Sequence, residues 1–321
     1  MAKTAFITGI TGQDGAYLAQ LLVNENYNVI GLTRSYNNFN NAGLKYLNIE
    51  SKVQIEECDL FDFSSIVKLL LRYKPDEFYN LSAQSSVSIS FEQPIGTINY
   101  NSQSVLNILE SVRLLKLDTK IYQASSSEMY GLVKSLPVNT TTPMHPLSPY
   151  AISKAAGYWI GINYRESYGV YCVNGVLFNH ESYLRNPNFF VKKVIKTSVA
   201  IKNNAATQLR VGNIDVKRDF GYAPDYVRAI WLSLQHNKAD DYIICSGQSI
   251  YLREIVNYVF DKLSIDKDRL IEDHSLFRPT DIEDIYGDNS KAKKQLNWEY
   301  DKSFFNILDI LLEEEAKNYK K

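Results

Sequence analysis

The chain has 321 residues, enough for a two-lobed α/β enzyme with a sizeable core. Hydrophobic residues at 45% and charged residues at 22% are ordinary globular values, which excludes a largely disordered chain. With 35 basic against 36 acidic residues the formal net charge is -1, so no basic excess points to nucleic acid or an acidic membrane surface.

Cys58, Cys172 and Cys245 are scattered, with no C-x-x-C spacing. That pattern predicts reduced, mostly buried thiols of a cytoplasmic protein, not a disulfide framework or a zinc site, and no metal is expected. The chain enters Thr4-Ala5-Phe6-Ile7-Thr8 without a signal-peptide pattern, and no apolar run approaches membrane-spanning length. No membrane association is therefore expected.

Short apolar strands alternate with amphipathic helices. Thr4–Thr8 reads as a strand, followed by a glycine turn and a helix with Leu18, Leu21 and Leu22 at helical spacing. Further strands are expected at Asn28–Thr33, Gln54–Cys58, Glu77–Leu81, Lys120–Ala124 and Val170–Leu177. Helices are expected from about Ser64 to before Pro75, from Tyr100 to Leu115, and from Tyr150 to Tyr168. This alternation predicts a Rossmann-type, doubly wound parallel sheet with ligands at the carboxyl ends of its strands. Past Leu177 the rhythm becomes irregular. We therefore expect a dinucleotide-binding domain over residues 1–177, with returning segments near 213–240, and a smaller α/β substrate domain over 178–321.

Gly9, Gly12 and Gly15 follow a strand and open a helix. Glycine there permits positive φ and lets backbone N–H groups approach a pyrophosphate, which the helix N-terminus also favours. Gln13 and Asp14, inside the turn, join the expected cofactor set. After the second strand comes Thr33-Arg34-Ser35, with no acid for a ribose 2′-hydroxyl. A cation there suits a 2′-phosphate, so NADP is expected, with NAD as the alternative. Asp59 and Leu60 are expected to flank the adenine, and Leu81 and Ala83 to lie on the nicotinamide side.

Tyr150 and Lys154, four apart on one helix, project from one face. A nearby ammonium and a nicotinamide cation favour tyrosinate, lowering the phenol toward working pH so that it can take a hydroxyl proton. Ser126 is the expected hydrogen-bonding partner of the reacting hydroxyl. Glu128 is placed as a second base: once C4 of a sugar is a ketone, the C5 proton becomes acid enough for a carboxylate to remove. Loss of the C6 hydroxyl and hydride return to C6 then complete a redox-neutral dehydration. Ser127 is expected to orient the leaving hydroxyl or a water. His180 reads as a packing or hydrogen-bonding residue, because no ligand cluster accompanies it.

Seven segments carry a resemblance, in order: Ile7 to Leu18, Tyr79 to Ser85, Gln123 to Gly131, Ser148 to Ala151, Leu177 to Ser182, Lys217 to Gly221, and Phe277 to Thr280. Through them the chain resembles the GDP-mannose 4,6-dehydratases of the extended short-chain dehydrogenase/reductase superfamily, over almost its whole length. The resemblance implies NADP, a GDP-hexose substrate and a 4-keto-6-deoxy product. Glu128, Tyr150 and Lys154 match the family directly, while Ser126 stands where threonine is usual. By the same resemblance Asn179, Arg185, Lys193, Arg218 and Arg278 hold the nucleotide diphosphate, Glu283 lies near the guanosine ribose, and Ser85 and Ser86 lie at the sugar. A homodimer is implied through the Tyr150 helix, where Tyr158, Trp159 and Ile162 supply apolar surface; a homotetramer would use the 37–41 loop.

Departures from the family pattern cluster around the expected sugar pocket. Ser35 replaces a second arginine, which weakens the NADP expectation, and Ser86 replaces a common histidine. Tyr183-Leu184-Arg185 and Asn186-Pro187-Asn188 also differ from the usual runs. GDP-mannose is the default substrate, with GDP-N-acetylglucosamine as a rival. A C4 epimerase or reductase on the same scaffold is the alternative reaction.

Overall fold

The computed structural model describes residues 2–319. Its first half contains β1 (Thr4–Thr8), α1 (Gln13–Asn24), β2 (Asn28–Thr33), α2 (Ala42–Tyr46), β3 (Val53–Glu57), α3 (Phe63–Tyr73) and β4 (Glu77–Asn80). Next come α4 (Val87–Glu92), α5 (Pro94–Leu114), β5 (Lys120–Ser126), α6 (Pro149–Tyr168) and β6 (Cys172–Leu177). Beyond them lie β7 (Asn179–Glu181), α7 (Phe190–Lys202), β8 (Leu209–Val211), β9 (Lys217–Tyr222), α8 (Ala223–Gln235) and β10 (Asp241–Ile244). The chain continues with β11 (Ser249–Tyr251), α9 (Leu252–Leu263), β12 (Leu270–Glu272), α10 (Ser290–Leu296) and α11 (Phe304–Tyr319).

Seven parallel strands form the central sheet in the order β10-β6-β5-β4-β1-β2-β3. The order reverses between β1 and β4, the place where a doubly wound sheet opens a ligand crevice. Period-two alternation sorts the strand side chains. Ala5, Ile7, Val29, Tyr79, Tyr122 and Val173 share one core with α1 and α8. Phe6, Ile30, Phe78, Ile121 and Cys172 share the other with α3, α5 and α6. Burial on both faces explains why these strands read as nearly continuous apolar runs.

The seventh strand was not foreseen. β10 pairs with β6 at Asp241↔Asn174 to Ile244↔Leu177, just past the returning segment expected near 213–240, which holds β9 and α8, with α8 packed into the core of the sheet. α5 also starts earlier than expected. Pro94 occupies its first turn, where a missing N–H costs nothing. β6 starts at Cys172 because Gly169 closes α6 in the left-handed region at φ 71° and Val170 N–H still bonds the Tyr164 carbonyl. Two smaller sheets, β11-β9-β7 and β12-β8, are separate from the main one. Among the described residues no helix is long and apolar enough to cross a membrane.

Candidate active site

The glycine turn is backbone-determined. Gly9 sits at φ +70°, and a Cβ there would meet the Leu81 and Ser82 backbone at 3.1–3.2 Å. A Cβ on Gly15 would lie 2.3 Å from the Gly9 carbonyl oxygen, so α1 approaches the turn as only glycine allows. Gly12 precedes the first residue of α1 without a side-chain cap, leaving the helix end to an outside ligand. The turn is anchored from below. Thr8 Oγ1 accepts from the amides of Leu81 and Ser82, each at 3.1 Å, and donates to Asn80 Oδ1 at 2.8 Å.

From this turn a cleft of about 720 Å³ runs past Arg34, Asp59, Leu60 and Ala83 to Tyr100. Phe61 and Tyr100 stack at 5.6 Å on its wall. Arg34 is exposed, and among the described residues it has no ion-pair partner. The carboxylates nearby have local partners: Glu57 accepts from the Tyr36 amide at 3.1 Å and Asp59 from the Phe61 amide at 3.0 Å. A left-handed glycine, a helix end flanked by Gly12 and Gly15 and an elongated cleft fit a nicotinamide dinucleotide.

Gln13 and Asp14 point elsewhere. Gln13 is buried; its amide nitrogen donates to the His180 carbonyl at 3.1 Å and its oxygen accepts from Ser182 at 2.7 Å. The Asp14 carboxylate meets His180. Both side chains therefore join α1 to β7.

The reacting groups come from β5 and α6. Ser148 caps α6 by accepting from the Ala151 amide at 3.1 Å, with Pro149 in the first turn. This start fixes Tyr150 and Lys154 on a buried face. Lys154 Nζ lies 5.9 Å from the Tyr150 ring centre and donates to the Ala124 carbonyl at 2.9 Å. Burial lowers the Lys154 ammonium to about 8. Burial also pushes the Tyr150 phenol up to about 12, against the Ser126 hydroxyl and the Arg185 charge, which pull it down, while Glu128 pushes it further up. The expected lowering of the phenol is thus not produced by the chain alone, because desolvation outweighs the neighbouring donor and cation. Ser126 ends β5 and Ser127 and Glu128 open the short turn after it; Ser127 is buried and Glu128 half-buried, its amide bonded to Ser126 Oγ at 3.3 Å. Serine, carboxylate, phenol and ammonium so meet at one strand end.

The substrate-side residues are more scattered. Asn179 opens β7 half-buried, and Arg185 Nε lies 3.5 Å from the buried Glu181 while its guanidinium stacks 3.7 Å from the Phe189 ring centre. Lys193 is half-buried in the first turn of α7. Arg218 is buried, donating to the Lys217 and Ile282 carbonyls and pairing with Asp281. Its guanidinium is turned into the protein, contrary to the expectation of an open diphosphate ligand. Arg278 lies 3.6 Å from the same Asp281. Glu283 is exposed on the wall of a second cleft of about 440 Å³, so the acid between the two arginines is Asp281. Ser85 is exposed. Ser86 caps α4, accepting from the Ile89 amide at 3.3 Å.

Sequence reasoning missed Asn101. Its side chain accepts from the Gln84 amide at 2.8 Å and donates to the Gln84 carbonyl and to Ser153 Oγ, which bonds the Tyr150 carbonyl. It thereby ties the loop after β4 to the Tyr150 helix. Its buried position on α5 gave no motif to find.

A parallel sheet with a glycine turn for a dinucleotide, a Tyr/Lys helix beside it and cations from the irregular segments after β6 define a nucleotide-sugar enzyme of the extended short-chain dehydrogenase/reductase class. Solved structures share the fold: a dTDP-glucose 4,6-dehydratase from Streptomyces venezuelae with NAD bound (TM-score 0.87, 20% identity, 98% of each chain). Another is RMD from Pseudomonas aeruginosa complexed with NADPH (TM-score 0.81, 22% identity, 99% of this chain and 100% of that one). The profile of the GDP-mannose 4,6 dehydratase family matches residues 6–311. GDP-mannose 4,6 dehydratase 1 of Arabidopsis thaliana is 41% identical over 99% of this chain and 91% of its own. The GDP-mannose 4,6-dehydratase of Vibrio cholerae is 39% identical over 93% of this chain and 90% of its own. The chain belongs to the GDP-mannose 4,6-dehydratase family.

Proposed function

We propose that the protein is a hydro-lyase that converts GDP-mannose to its 4-keto-6-deoxy derivative, with NADP as the tightly held cofactor. Family membership and the meeting of Ser126, Glu128, Tyr150 and Lys154 at one strand end support this reading. When bound in the cleft from Gly9 to Tyr100, a nicotinamide dinucleotide stores the hydride between the first and last steps and, oxidised, brings a positive ring. Tyr150 takes the C4 hydroxyl proton, with Ser126 hydrogen-bonded to the same oxygen. Lys154, fixed by the Ala124 carbonyl, sets the charge beside the phenol. Glu128, exposed enough to reach substrate, takes the C5 proton that the C4 ketone has made acidic, and Ser127 orients the leaving C6 hydroxyl. A C4 epimerase needs no such carboxylate, so Glu128 is the observation that favours elimination.

The NADP preference rests on Arg34, exposed on the cleft wall, and on Glu57 and Asp59 already accepting from the backbone amides of Tyr36 and Phe61. A homodimer through α5 and α6 is supported by exposed Ile95, Ile152 and Trp159; Tyr158 is 3% exposed, faces the protein's own core and does not contribute. Cytoplasmic residence is supported by three buried free thiols. The test is product mass after incubation with GDP-mannose, combined with identification of the nucleotide released on denaturation. Loss of one water and release of NADP are expected. An isomer of unchanged mass would overturn the dehydratase reading, and NAD alone would overturn the reading of Arg34.

A further inference from the structure

Both ring nitrogens of His180 face acceptors. Nδ1 lies 2.6 Å from the Phe178 carbonyl oxygen, and Nε2 lies 2.9 Å from each oxygen of the Asp14 carboxylate. Carbonyl and carboxylate oxygens accept and do not donate, so both nitrogens must carry hydrogen, and such an imidazole is a cation. The ring is 6% exposed. Charged and titratable groups face it from each packed element: Asp14 on α1, Glu181 beside it on β7, Arg185 in the loop that follows, and Tyr226 on α8 with its ring centre 5.0 Å away.

The location gives this charge a task. Asp14 stands in the first turn of α1, whose end lies at the Gly9–Gly15 turn. A carboxylate there suits the helix dipole but repels any phosphate approaching the same N–H groups. We propose that His180 is an imidazolium at neutral pH that neutralises Asp14, so that the α1 N-terminus stays attractive to a dinucleotide pyrophosphate. His180 is thus a positioning residue acting through Asp14, and the inference rests on reading the glycine turn as the cofactor seat.

Desolvation pushes the Asp14 carboxyl up and the His180 ring down. Their mutual attraction overrides this in both, holding Asp14 below and His180 above their ordinary values. Arg185 helps Asp14 and opposes His180, whereas Glu181 favours the imidazolium. Because the folded pKa of His180 is raised and that of Asp14 lowered, the pair contributes fully between the unfolded values of the two groups. Its contribution is lost as pH rises through the folded His180 value and as pH falls through the folded Asp14 value.

Ring-nitrogen NMR of the full chain without cofactor reads the charge directly: both His180 nitrogens should remain protonated at neutral pH. Calorimetric titration with NADP then reads the consequence. His180→Gln should weaken binding about tenfold or more, and adding Asp14→Asn to it should restore affinity to within about threefold. A neutral His180 at neutral pH, or a double variant no better than the single one, overturns the proposal; the NMR result stands even if a variant folds poorly. Wild-type protein that binds no nicotinamide dinucleotide would instead remove the cofactor seat, and this inference with it.

Discussion

The glycine turn and the cation set gathered from the chain after β6 are both assigned to diphosphates, yet they are built differently. In the turn the working groups are backbone amides, and their geometry follows from residues contiguous in the chain: Gly9 at φ +70°, and Gly15 with no room for a Cβ. In the cation set they are side chains from β7, the loop after it, α7, β9 and the segment around Arg278. Which anion each cation meets there is decided by packing. Arg218 is held by Ile282 and Asp281, whereas Arg34, on the cofactor cleft, has no protein anion among the described residues. Contiguous backbone motifs carry their function in the sequence, and long side chains gathered from distant segments do not.

The largest expected effects test the chemistry that joins the two regions. Tyr150→Phe should lower turnover about 10²–10⁴-fold and leave the cofactor oxidised on adding GDP-mannose. Glu128→Gln should lower dehydration on the same scale yet allow C4 oxidation, so reduced dinucleotide absorbance accumulates and solvent deuterium fails to enter C5. Near-normal dehydration by Glu128→Gln would end its assignment as the second base.

The placement of these two proposed bases was legible because each residue lies at the end of an element whose pattern is strong. β5 and α6 are read from apolar periodicity, and Ser126, Glu128, Tyr150 and Lys154 follow at fixed offsets. β10 was not legible, since its four residues join the sheet only after the chain has left it for β7 to α8. The burial of Arg218 was hidden for the same reason: its acceptors lie more than sixty residues on. The place of Gln13 and Asp14 in the turn points to the cofactor, but the direction of their side chains depends on His180 and Ser182, more than 160 residues on.

Arg218→Met sharpens the contrast. If this arginine is chiefly a structural tie, removing it leaves the Ile282 carbonyl without its donor and Asp281 with only the Ile282 amide and the more distant Arg278, and should cost about 3 kcal/mol of stability in denaturant unfolding. The KM for GDP-mannose would then change less than the stability implies. Unchanged stability with a KM raised about a hundredfold would instead show an arginine that turns outward to bind diphosphate.

Gly15→Ala tests the backbone side. A Cβ at 2.3 Å from the Gly9 carbonyl must push α1 away from the turn, and overpacking of this kind costs about 1–3 kcal/mol. The shift falls on the amides that would meet the pyrophosphate, so NADP affinity should drop about 10- to 100-fold in a fluorescence titration. Binding within about twofold of wild type would show that the turn's close packing is not what seats the cofactor.

Ser86 gives the smallest and most discriminating effect, because its expected and observed roles differ. Sequence comparison placed it at the sugar; in the fold its hydroxyl caps the six-residue α4 by accepting from the Ile89 amide, while its own amide donates to the Gln84 side chain at 2.6 Å. As a cap, Ser86→Ala removes one acceptor from a helix end and should cost about 1 kcal/mol, measured as a shift of the unfolding midpoint. Ser86→Asp, which also caps, should recover most of that loss. The KM for GDP-mannose should stay within about twofold in Ser86→Ala, since the backbone bond to Gln84 is kept. If stability is unmoved and KM rises about tenfold, the hydroxyl belongs to the sugar, and the sequence reading of this position overrides the structural one.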